Sequence, residues 1–146
     1  MKKIIKIIVI LASLFILYLV YQHFTYEFSH VGDTKEGSPV LSPNKKYSAQ
    51  IYYENYGGAA GGINLIVNLI NHQKNDEERT IYFSDAKGNV TISWVNSNTL
   101  SITNYDEYEN RNVELLVEKQ IYDEHGGACG AYKIKKEFIC ISKDSL

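Results

Sequence analysis

No acidic residue occurs before Glu27, although the chain carries 17 of them in 146 residues. Only Lys2, Lys3 and Lys6 are charged in that leading stretch, and setting them apart from the 15 bases leaves 12 against 17 acids beyond it. An acidic domain is repelled by phosphate backbones and anionic headgroups. That removes the main affinity term for nucleic acid and argues against a membrane-binding patch on the domain itself. Cysteine is scarce too, with only Cys129 and Cys140 present. Neither follows the N-terminal apolar run, so the thiol that a bacterial lipoprotein would acylate is missing. After Val20 there is no small-x-small cleavage site, which separates a retained anchor from a removed signal peptide. Recognised metal-ligand spacing, a propeller-length repeat and a strong amphipathic helix beyond the first segment are also lacking. Residues 42–146 suffice for one modest core, which excludes a two-domain enzyme.

From Ile4 to Val20 only Lys6 and Ser13 interrupt an apolar run. Extended to Phe24 and wound as a helix at about 1.5 Å per residue, it reaches roughly 31 Å, close to the thickness of a bilayer's hydrocarbon core. Lys6 can snorkel to the headgroups, and Tyr18, Tyr21, His23 and Phe24 supply the aromatic belt of the far interface. Three lysines hold the N-terminus in the cytoplasm. Residues 1–24 are therefore expected to be a single-pass plasma-membrane anchor that meets lipid through residues 4–24. Everything after them is expected outside the cytoplasm.

Residues 25–41 are polar and show neither a two-residue nor a 3.6-residue apolar period, which predicts a tether. Residues 42–146 then read as one extracytoplasmic β domain. Tyr47, Ala49, Ile51 and Tyr53 alternate with Ser48, Gln50 and Tyr52, which predicts a strand. Ile63 to Ile70 is apolar on both faces, as a central strand should be. Thr80 to Phe83 is a short strand. Val90, Ile92 and Trp94, then a turn at Asn96 to Asn98, then Leu100 and Ile102 form a hairpin with Trp94 toward the core. Val113 to Val117 suggests a strand, although Leu116 keeps a helix open, and Tyr132, Ile134, Phe138 and Ile141 suggest a last strand. The fold class is mainly β: about seven antiparallel strands in a sandwich, an open barrel or a single twisted sheet.

Ser42-Pro43-Asn44-Lys45-Lys46-Tyr47, then Gly57-Gly58-Ala59 before an apolar strand, then Ile81-Tyr82-Phe83, then Trp94 followed by Asn98-Thr99-Leu100-Ser101-Ile102, resembles the small membrane-anchored family of Bacillus-type bacteria called domain of unknown function 5412. The resemblance covers about residues 42 to 103 and departs at Lys45, where the family usually has Gly. It implies an anchored β domain outside the cell and no particular activity.

Cys129 and Cys140 would face a compartment where thiols oxidise, and a disulfide between them closes a loop of roughly ten residues. The alternative makes Cys129 a nucleophile with His125 as its base, in an envelope hydrolase or thiol enzyme. Ala131 stands where a nucleophile elbow needs glycine. Gly57 to Gly62 lacks the Gly-Lys-Ser/Thr ending of a phosphate loop and precedes a strand, so it reads as a connection between strands. With Tyr52, Tyr53 and Tyr56 beside Gly57 and Gly58, it could instead form an aromatic binding platform. The acidic runs at Asp76 and Asp106 lack the calcium ladder, and no cofactor or metal is expected. The reading is a non-enzymatic anchored protein that binds or senses an envelope protein or small ligand. A subunit that stabilises a membrane complex through its anchor is a further alternative.

Overall fold

The computed structural model describes residues 2–58 and 60–145. Met1, Ala59 of the glycine loop and Leu146 lie outside the described residues, as does the side chain of Lys2. Helix α1 (Lys2–Thr25) carries the apolar run, with large hydrophobic side chains exposed on every face from Ile4 to Phe24. Among the described residues it is the one helix long and apolar enough to cross a membrane, over 23 residues from Lys3 to Thr25.

The strands are β1 (Thr34–Leu41), β2 (Tyr47–Tyr56), β3 (Gly62–Asn71), β4 (Glu77–Asp85), β5 (Asn89–Trp94), β6 (Thr99–Tyr105), β7 (Val113–Leu116), β8 (Gln120–Asp123) and β9 (Ile139–Ile141). The first four form an antiparallel meander. The chain then leaves to build a separate sheet ordered β5-β6-β7. It returns as β8 beside β4 and β9 beside β8, completing the order β1-β2-β3-β4-β8-β9. Neither sheet closes into a barrel.

The two sheets share a core. Tyr47, Leu65, Val67 and Tyr82 of the larger sheet pack with Leu100, Ile102 and Leu115 of the smaller. Burying each large apolar side chain of this kind stabilises the fold by roughly 1.5–3 kcal/mol. The expected hairpin is present as β5 and β6, paired from Asn89↔Tyr105 to Trp94↔Leu100. Asn96 Oδ1 closes its turn by accepting the Asn98 and Thr99 N–H groups, each at 2.9 Å. The far face of the larger sheet carries a second core, in which Phe28 packs with Ile121, Ala128, Ala131 and Ile134.

The chain departs from the sequence reading in three places. Residues 25–41 are not a free connector, because Phe28 is 7% exposed and Thr34 to Leu41 pair with β2. The His30 N–H also donates to Thr80 Oγ1 at 2.8 Å, and the His30 carbonyl accepts from Asn68 Nδ2 at 3.1 Å. β1 is an edge strand exposed at every position. It is held by backbone pairing, so it has no buried face to leave a two-residue period. The segment read as a last strand is helix α3 (Tyr132–Glu137) followed by the short β9. Ala128, Ala131, Ile134 and Phe138 recur every three or four residues, a helical period that the even spacing of Tyr132, Ile134 and Phe138 concealed. Finally, β8 lies parallel to β4, and β9 parallel to β8. Parallel neighbours need a crossover that carries the chain back along the sheet, and α2 (Gly127–Gly130) and α3 provide it.

Candidate functional site

Strands β4 and β8 pair only at Tyr82↔Tyr122 and Phe83↔Asp123. Toward the start of β4 they splay apart, and the gap opens into a cleft of about 810 Å³, within the usual range for small-molecule sites. Its walls come from residues 26–29, which directly follow α1, from the first residues of β4, and from Ile134 and Phe138.

Arg79 bridges the gap. Its Nη2 donates to the Val117 carbonyl, standing in for missing ladder bonds, and its guanidinium lies 4.6 Å from the centre of the Phe138 ring. Nη1 is buried and has no hydrogen-bond partner among the described residues. Burial lowers the Arg79 pKa from its ordinary value, opposed by Tyr47, Glu77, Glu118 and Glu137 nearby. The group remains a cation.

The mouth of the cleft carries paired charges. Lys46 Nζ sits 2.6 Å from Glu118 Oε1, and Lys133 Nζ 3.2 Å from Glu27 Oε1. The bond from Lys46, then that from Tyr47, holds the Glu118 carboxyl below its usual range. Glu77, Glu78 and Glu137 line the cleft as well, so an acceptor oxygen joined to an apolar group finds its favourable place at the Arg79 guanidinium beside the aromatic wall.

A second polar cluster is satisfied internally. Arg111 Nε donates to Glu124 Oε1 at 2.6 Å and Nη2 to Glu109 Oε1 at 2.8 Å. Glu124 also accepts from Ser84 Oγ at 2.6 Å and from the Asp85 N–H at 2.9 Å. With these bonds in place the cluster braces the fold and leaves nothing free for a ligand.

The residues singled out from sequence lie elsewhere. Tyr52 and Tyr53, as strand neighbours, point to opposite faces: Tyr53 packs on the first core, and Tyr52 lies against Gly32 on the other side. Tyr56 donates to Asp85 Oδ1 at 3.0 Å. Gly57 and Gly58 turn the chain from β2 into β3. Gly57 takes φ 70°, and a Cβ at Gly61 would meet the Tyr56 carbonyl oxygen at 1.9 Å. None of these residues lines the cleft. Cys129 and Cys140 are joined in a disulfide with Cα atoms 5.1 Å apart, which leaves no thiol to act as a nucleophile. His125 sits at the surface, 4.0 Å from Asp85 Oδ1. Asp76 pairs with His72 at 2.5 Å, and Asp106 caps its own turn through the Tyr108 and Glu109 N–H groups.

Sequence reasoning missed Arg79 and α3. A charged residue two positions before the buried Ile81 is the one local signal for Arg79, and its partner Val117 is 38 residues away.

No curated protein and no solved structure matches the chain. A family model does match, and it extends through α1, both sheets up to β8 and most of the residues that line the cleft. α3, β9 and both cysteines lie beyond it. With residues 1–127 matched, the chain belongs to the Family of unknown function (DUF5412).

Proposed function

We propose that the chain is a single-pass envelope protein, with its N-terminus cytoplasmic and its β domain outside, that binds a ligand in the cleft at the bilayer surface rather than catalysing a reaction. Lysines without acids in the first turns of α1 support the orientation, and the Cys129–Cys140 disulfide suits an oxidising compartment. The observation that carries the reading is the Arg79 guanidinium, whose buried Nη1 has no hydrogen-bond partner among the described residues, in the lining of a cleft walled by the residues that directly follow α1. The ligand class is a carboxylate or phosphate bearing an apolar portion. It is met at the membrane, where such amphiphiles concentrate.

Native mass spectrometry of the full chain released from membranes tests this. Wild-type protein should carry a small-molecule mass that Arg79→Met loses while keeping its β-sheet circular dichroism spectrum. Wild-type protein free of any bound molecule overturns the reading. Protease added to intact cells tests the orientation, since it should remove the β domain and spare α1.

A further inference from the structure

We infer that α3 presents a headgroup-binding face, in which Tyr132, Lys135 and Lys136 meet anionic phospholipid of the same bilayer that holds α1. The inference rests on the anchored reading above and is independent of the cleft, because none of these three residues lines it.

The helix divides its side chains by direction. Ile134 is 5% exposed, and Phe138, four residues on, packs with it in the second core. Tyr132, Lys135 and Lys136 stand at spacings of three and four residues and so share the face turned away from that core. All three are exposed. The Tyr132 ring lies 4.9 Å from that of Phe24 and 6.2 Å from that of His23. Both belong to the last turn of α1, where hydrocarbon gives way to headgroups. The face of α3 that touches them is therefore at headgroup depth. Lys133, between the two faces, fastens the helix to the chain's exit through Glu27 at 3.2 Å.

Charge selects the occupant. Beyond α1 the chain is acidic overall, yet α3 gathers three lysines and one acid in six residues. Net charge argued against a membrane-facing patch on this domain. The local concentration of lysine beside the anchor reverses that argument for this one element. Tyrosine and lysine also suit such a depth, since each pairs an apolar body with a polar tip.

The test uses the full chain in nanodiscs of phosphatidylcholine alone, or of an equal mixture with phosphatidylglycerol, read by hydrogen–deuterium exchange over residues 131–139. Exchange should slow by about tenfold in the anionic discs. The difference should vanish at about 0.5 M salt and in Lys135→Glu/Lys136→Glu. Lys135→Gln/Lys136→Gln should act in the same direction, and unchanged protection of β2 and β3 shows that the variants fold. Equal exchange in the two lipids, or slowing that survives the double variants, overturns the inference. Failure of the wild-type chain to enter even neutral discs is a different result. It overturns the anchored reading and takes this inference with it.

Discussion

Lys45 holds a left-handed backbone, φ 59°, at the turn between β1 and β2. The Ser42 N–H there donates to the Tyr47 carbonyl at 2.8 Å, and Ser42 Oγ accepts the Tyr47 N–H at 3.0 Å. A residue with a Cβ is strained in that conformation by about 1–2 kcal/mol, and glycine's extra freedom in the unfolded chain returns part of this. Lys45→Gly is expected to raise stability by up to about 1 kcal/mol, read by chemical denaturation. Arg111→Met should do the opposite. It strands Glu124, whose side chain is 6% exposed, at a cost of about 3–5 kcal/mol. The same cluster gives stability a pH dependence. Bonds from Lys87, then Arg111, hold the Glu109 carboxyl down at about 2. Glu124 is lowered as well, because bonds from Ser84, Arg111 and Asp85 outweigh the opposing effect of burial. Depressed folded values mean that the unfolded chain binds protons first as pH falls. The contribution is whole above about pH 5 and drains away toward about pH 2. Melting temperatures should fall over that window, less steeply in Arg111→Met than in the parent. At this scale the glycine position in the resembling motif was legible, because a turn's backbone demand is local. The Arg111–Glu124 pair, joined across 13 residues by folding, was not.

Among the elements, the crossover from β8 to β9 packs on the smaller second core, and the disulfide closes it over a sequence separation of 11. Reduction should cost about 3 kcal/mol on the chain-entropy model. Accelerated hydrogen exchange should be confined to α2, α3 and β9, while β2 and β3 stay protected. If the whole domain loosened together, the crossover would not be a separable unit. Sequence periodicity reported elements in proportion to how one-sided their burial is. The β5–β6 hairpin was legible because its strands alternate cleanly between covered and exposed positions. β1 was illegible because it buries neither face. α3 was misread because a six-residue helix offers only one buried position, Ile134, before it ends. The cleft was invisible for the same reason that β4 and β8 splay: it is made by two strands failing to pair, and no local pattern encodes a missing contact.

Taken as a whole, the molecule does not divide where composition changes. A fragment beginning at residue 42 would lose β1 and Phe28, uncovering the edge of β2 and opening the second core. Residues 26–146 should give a dispersed amide NMR spectrum, and residues 42–146 a collapsed or aggregated one. Equal dispersion in both would mean that the stretch after α1 is dispensable for folding. Because residues 26 to 33 are stitched into the far face of the larger sheet, the domain has no leash. On the anchored reading proposed above, its reach from the bilayer is set by these packed contacts and not by chain length. No slack chain lies between α1 and the sheet to absorb a pull, so a force on the helix passes straight into the domain.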